Sequence, residues 1–167
     1  MTAQSPVSAE PTIGVIVVAA GSGQRMGAGV PKAFIEIDGR RLVDLALERI
    51  AAAGLDAQTV VAVPAGLENS LGNHPDVQVV TGGSSRHESV SVGLAALHPS
   101  VSIVLVHDAA RALAPADVFV RVADAVVAEV AIGGEELREA EVVDRREVGD
   151  RGDARLAVDL DFGDVNA

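Results

Sequence analysis

Residues 14–19, GVIVVA, are apolar without interruption and run straight into a glycine-rich stretch, Gly21 to Gly29. A strand with one wet face alternates apolar and polar residues. A short continuous run bounded by glycine instead predicts a strand buried on both faces. Runs of the same kind recur at Thr59–Val63, stopped by Pro64, at Val77–Val80 and at Val101–Val106, the most hydrophobic of them. Helical patterns lie between them. Leu42, Leu45, Ala46 and Ile50 space apolar residues on one face of Arg41–Ala53, which ends at Gly54. Ser85 and Glu88 have capping-box spacing before a helix over Glu88–Leu97, and Pro115 suits the start of a helix reaching Val130. The alternation predicts an α/β fold, a Rossmann-like, mostly parallel sheet with helices on both faces. Residues 12–132 form the α/β domain, and residues 1–11 read as a short disordered tail.

Ligands of such sheets sit at the carboxyl ends of the strands. The first strand ends in a loop carrying Gly21, Gly23, Gly27 and Arg25, closing on Pro31-Lys32. Glycines let backbone amides approach a ligand closely, and the two cations add positive charge, so the loop suits a polyphosphate. Lys32 is the sole lysine among 13 basic residues. The P-loop pattern fails, since no Lys-Ser or Lys-Thr pair follows a glycine. The dinucleotide pattern fails as well, because Met26 stands where its third glycine belongs. A plain strand–helix turn with two solvated cations is the competing reading.

Two further motifs follow strands. Asp108 ends the strongest strand and has the hard oxygen that magnesium prefers, with a turn- or helix-capping aspartate as the alternative. Arg111, three residues on, suits a substrate phosphate or is an exposed helical arginine. Ser89 lies at the start of a helix, where it either contacts a nucleotide or serves capping. His107 reads as a packed histidine rather than a base.

The chain of 167 residues suits one domain. It has no cysteine, hence no disulfide framework or thiolate metal site, and with three Phe and no Trp or Tyr its core must be Val, Leu, Ile and Ala. A net charge of −11 argues against nucleic acid and anionic membranes as partners. Arg25, Lys32, Arg86 and Arg111 would still make a phosphate site locally basic. No apolar run has the length of a membrane span, and the first ten residues lack a signal-peptide pattern, so a cytoplasmic location is expected.

Three ordered segments carry a family resemblance. AAGSGQRMG followed by Pro31-Lys32 resembles the signature of nucleotidyltransferases that join a sugar or polyol phosphate to a nucleoside monophosphate. Thr81–Val90, TGGSSRHESV, and Val106–Arg111, VHDAAR, resemble segments of the 2-C-methyl-D-erythritol 4-phosphate cytidylyltransferases of the non-mevalonate isoprenoid pathway. The resemblance spans residues 13 to about 130. It implies cytidylyl transfer from CTP to the polyol phosphate with release of pyrophosphate. Arg25 and Lys32 would be catalytic, and Asp108 would hold Mg2+. Ala19, Ala20, Gly21, Ser22, Gly23, Gly83, Ser84, Ser89 and Ala109 would bind the nucleotide, and Arg111 the acceptor. A different acceptor, such as ribitol 5-phosphate, or CTP binding without turnover are the alternatives.

Beyond Ala131 the resemblance stops. Residues 133–167 hold eleven acids and five arginines, and their apolar spacing is irregular. No threonine, arginine or lysine there matches the acceptor residues of the family, nor does any segment match its projecting arm, through which a homodimer would be expected. The stretch reads as a divergent acidic tail, partly disordered, arising from divergence or from a reading-frame shift. Little transfer to methylerythritol phosphate is expected of the full chain on that basis.

Overall fold

The computed structural model describes residues 12–21, 30–131, 141–142 and 156–160. Strand β1, Thr12–Val18, is followed by a 3-10 turn at Lys32–Phe34 and a small hairpin, β2 (Glu36–Ile37) and β3 (Arg40–Arg41). The hairpin turns on Asp38 and Gly39, with φ of 52° and 75°, the paired positive values of a type I′ turn. Helix α1 (Leu42–Ala52) leads to β4 (Ala57–Val63), β5 (Val77–Thr81) and helix α2 (Arg86–Ala96). Strand β6 (Val101–Asp108), a 3-10 turn at Ala109–Arg111 and helix α3 (Ala116–Ala131) follow, then β7 (Glu141–Val142) and β8 (Leu156–Asp159).

Six strands form one sheet in the order β5-β4-β1-β6-β8-β7, parallel except for the β7–β8 pair. The unbroken apolar runs are explained by burial on both faces. Val15, Val17, Val61, Ile103 and Leu105 pack with Val43, Leu47 and Ile50 of α1 and Phe119, Ala123 and Val126 of α3. Ile16, Val60, Val104 and Val106 point the other way, against Val90 and Leu94 of α2 and Leu97 beyond it. The expected α/β sheet with helices on both faces is therefore present.

Element limits differ from the sequence pattern in instructive ways. Helix α2 starts at Arg86, not Glu88, because Ser85 is itself the N-cap and accepts the Glu88 N–H. The polar pattern predicts no strand beyond Gly133, yet β8 pairs with Ile103–Val106 of β6, and Val158 and Leu160 enter the core beside Phe119. A strand edge offers unpaired backbone groups, and β8 pairs with four residues of β6 there. Apart from Glu141–Val142 and residues 156–160, residues 133–167, like residues 1–11, lie outside the described residues.

Candidate functional site

The chain leaves β1 toward β4 and β5, then crosses back to β6 on the other side of β1. Adjacent strands whose connections depart in opposite directions open a crevice at their carboxyl ends. Val18 of β1 lies directly opposite Asp108 of β6 at that crevice. Ala19, buried, extends the pairing by donating its N–H to the Ala62 carbonyl (2.8 Å), and Gly82 does the same to Val63 (2.7 Å). Ala20 is half-buried and Gly21 exposed. Ser22, Gly23 and Arg25 lie outside the described residues. Lys32 stands exposed on its 3-10 turn, whose next two residues, Ala33 and Phe34, are buried.

The β1 and β5 loops touch at Gly82. A Cβ there would lie 2.4 Å from Ala20 Cβ and 2.9 Å from Ser89 Oγ, so only glycine fits without displacement. Gly82 is not among the expected site residues, although the doubled glycine marks it.

Ser89 is 1% exposed. Its hydroxyl donates to the Ser85 carbonyl (2.9 Å) and accepts from the Gly83 N–H (3.2 Å). Ser89 thus pins the loop from inside. Ser84 donates both its N–H (2.6 Å) and its hydroxyl (2.7 Å) to Glu88 Oε2. These bonds, the Ser84 hydroxyl's foremost, hold the Glu88 carboxyl below its usual range. Ser84 is thus engaged with Glu88, and Glu88, absent from the expected set, shapes the loop.

At the end of β6 the capping reading of Asp108 holds in part. Its Oδ1 accepts from the Ala110 N–H (2.9 Å) and starts the 3-10 turn that carries Arg111. The carboxylate stays half-exposed at the strand end, while Ala109 is fully buried and Arg111 half-buried. His107 points into the core. Its ring meets Phe119 edge-on at 5.1 Å, and neither ring nitrogen has a hydrogen-bond partner among the described residues. Desolvation drives its pKa down to about 4, against a smaller raising effect of Asp108, so the ring is neutral. A neutral, enclosed imidazole has no access to a reacting group.

No group of three or more His, Cys, Asp or Glu side chains able to hold a metal occurs among the described residues. Magnesium ordinarily completes its shell with oxygens of a bound phosphate. No helix among the described residues is long and apolar enough to cross a membrane.

A family model described as IspD, 2-C-methyl-D-erythritol 4-phosphate cytidylyltransferase, matches residues 13–135. The chain is similar to a bifunctional enzyme IspD/IspF of Clavibacter michiganensis, at 48% identity over 128 residues, covering 71% of this chain and 31% of that protein. It is also similar to a 2-C-methyl-D-erythritol 4-phosphate cytidylyltransferase of Frankia casuarinae, at 41% identity over 121 residues, 71% of this chain and 46% of the relative. Among solved structures, a 4-diphosphocytidyl-2C-methyl-D-erythritol synthase of Anaerococcus prevotii superposes with a TM-score of 0.61 at 25% identity, covering 71% of this chain and 52% of that one. The matched region spans less than half the length of either curated relative.

Proposed function

The chain belongs to the 2-C-methyl-D-erythritol 4-phosphate cytidylyltransferase family, and from that premise we propose that it binds CTP at the crevice between β1 and β6, the nucleotide half of a cytidylyl transfer to 2-C-methyl-D-erythritol 4-phosphate whose acceptor residues find no match in residues 133–167. The supporting observation is the meeting of three motif loops at one end of a parallel sheet, with Val18 opposite Asp108 and Gly82 wedged between Ala20 and Ser89.

In this reading Lys32 and Arg25 hold the triphosphate and neutralise charge as it builds on the α-phosphorus. Ala19, whose N–H is already bonded to Ala62, offers its carbonyl to the base edge, together with backbone groups of Ala20, Gly21 and Gly83. Ser22, Gly23 and Ala109 complete the nucleotide contacts through their backbone. Asp108 retains carboxylate capacity beyond its bond to Ala110 and is the residue that would hold Mg2+. Such a cation would supply charge neutralisation on the phosphates. Arg111 faces the acceptor phosphate. An oxygen of that phosphate attacks the α-phosphorus in line, forming a P–O bond as the bond to pyrophosphate breaks. The attacking phosphate is already anionic, so no general base is required, in keeping with the enclosed, neutral His107.

The test is a calorimetric titration of the full chain with CTP and Mg2+, beside a pyrophosphate-release assay with methylerythritol phosphate and with ribitol 5-phosphate. Lys32→Ala should weaken CTP binding about ten- to a hundredfold, the worth of one charge-assisted contact. Equal CTP affinity in the parent and Lys32→Ala overturns the site. Binding without pyrophosphate release from either acceptor reduces the protein to a nucleotide binder.

A further inference from the structure

The 3-10 turn that presents Lys32 is only three residues long. A polar cluster lies against its Phe34. The Arg41 guanidinium lies over the Phe34 ring, 5.8 Å from its centroid. Arg41 grips Asp44 with two parallel bonds, Nε to Oδ2 at 2.6 Å and Nη2 to Oδ1 at 2.8 Å. Its Nη1 donates to the Ser70 carbonyl at 2.9 Å, and Nη2 reaches Asn73 Oδ1 at 3.4 Å. Asp44 Oδ1 is also 3.1 Å from His74 Nε2 and 3.4 Å from Asn73 Nδ2. The cluster is mostly shielded from water, with Arg41, Asp44 and His74 side chains 23%, 15% and 18% exposed. Burial pushes the Asp44 carboxyl up, but hydrogen bonds from Arg41, His74 and Asn73 outweigh it and keep Asp44 below the usual carboxylate range.

Three segments are tied here: the Lys32 turn through Phe34, the first turn of α1 through Asp44, and, some 30 residues on, the chain after β4 through Ser70, Asn73 and His74. A further bond, Leu42 N–H to the Ile35 carbonyl at 3.1 Å, joins the turn to the start of α1. A bidentate pair fixes the plane of the guanidinium, and that plane is what covers Phe34.

We infer that Arg41 and Asp44 are positioning residues for Lys32, holding its turn where the ammonium meets the triphosphate of CTP. The inference rests on the reading of Lys32 as a phosphate-binding residue. Preorganisation of a cation is worth affinity because its ordering need not be supplied on binding. A cluster that only stabilised the start of α1 would alter melting and leave CTP affinity alone.

A double-mutant cycle separates the two roles, using the full chain titrated with CTP and Mg2+. Asp44→Asn keeps the shape of the side chain and removes the charge that grips Arg41. It should weaken CTP binding about three- to tenfold in the parent and not at all in the Lys32→Ala background, the non-additivity of residues acting through one another. Unchanged affinity in Asp44→Asn, or an equal loss in both backgrounds, overturns the inference. Equal affinity in the parent and Lys32→Ala, read from the same cycle, overturns the phosphate-binding reading first. Where Asp44→Asn yields no folded protein, Phe34→Leu carries the same cycle, since it removes the ring under Arg41 and keeps an apolar plug.

Discussion

Strand β1 pairs with β4 over six positions on one flank of the sheet, whereas on the other flank β6 pairs with β8 over four and β8 with β7 over two. The first flank is assembled from long apolar runs, with helices α1 and α2 on opposite faces. The second is assembled from brief stretches inside a segment dominated by charge. Both nonetheless feed the same core, in which Val61 of β4 and Val158 of β8 are each fully buried. A strand's contribution is thus set by the groove it fills rather than by the character of the chain around it.

Matched truncations test this equivalence most sharply. Val61→Ala and Val158→Ala should each destabilise the protein by about 2–3 kcal/mol, the transfer and cavity terms of a deleted buried side chain. Chemical denaturation measures both. A loss confined to Val61→Ala would show that the β8 flank does not share the core's cooperativity.

His107 lies at the seam, opposite Val17 of β1 and one residue beyond Val106, which receives the Leu160 N–H. Its folded pKa of about 4 lies below the ordinary histidine value of 6.5. The unfolded chain therefore takes up the proton first as pH falls, and stability is lost from pH 6.5 downward until about pH 4. The linkage amounts to about 2 kcal/mol by pH 5. His107→Leu should abolish that acid slope in metal-free denaturation curves taken between pH 8 and pH 5. An unchanged slope would mean that the seam hydrates and that the two flanks part there.

The smallest effect belongs to the surface of the first flank. Arg40 and Glu48 form an ion pair in which both side chains are about half exposed, at 48% and 53%. Screening by water leaves such pairs nearly neutral in stability. Arg40→Ala should leave the melting temperature unchanged, and a clear fall would extend the rigid part of this flank outward to the hairpin.

The sheet was legible because continuous apolar runs admit few other fates, and the three motif loops followed from strand ends. The boundary of α2 needed only the observation that an N-cap serine precedes its helix by one residue. The hairpin β2–β3 and strand β8 were not legible. Strands of two and four residues are too short to show a period. Nor was the Arg41 cluster, since Asp44 and His74 are 30 residues apart and meet only after β4 has docked. The inward turn of the Ser89 hydroxyl was hidden for a different reason. A serine at the start of a helix has the same sequence signature whether it faces a ligand or its own loop.

The position of β1 at the middle of the sheet has a consequence for how the protein is made. Its first partner, β4, begins 45 residues after it, and its second, β6, follows only about 45 residues later still, roughly two to nine seconds at ~5–20 residues per second. Throughout that interval GVIVVA presents one bare edge, and until α2 has been made also one uncovered apolar face, the combination that recruits unwanted strands. Slow translation between residues 63 and 101 would prolong this exposure, and holdase chaperones binding the nascent chain would be expected to engage β1 before any other segment.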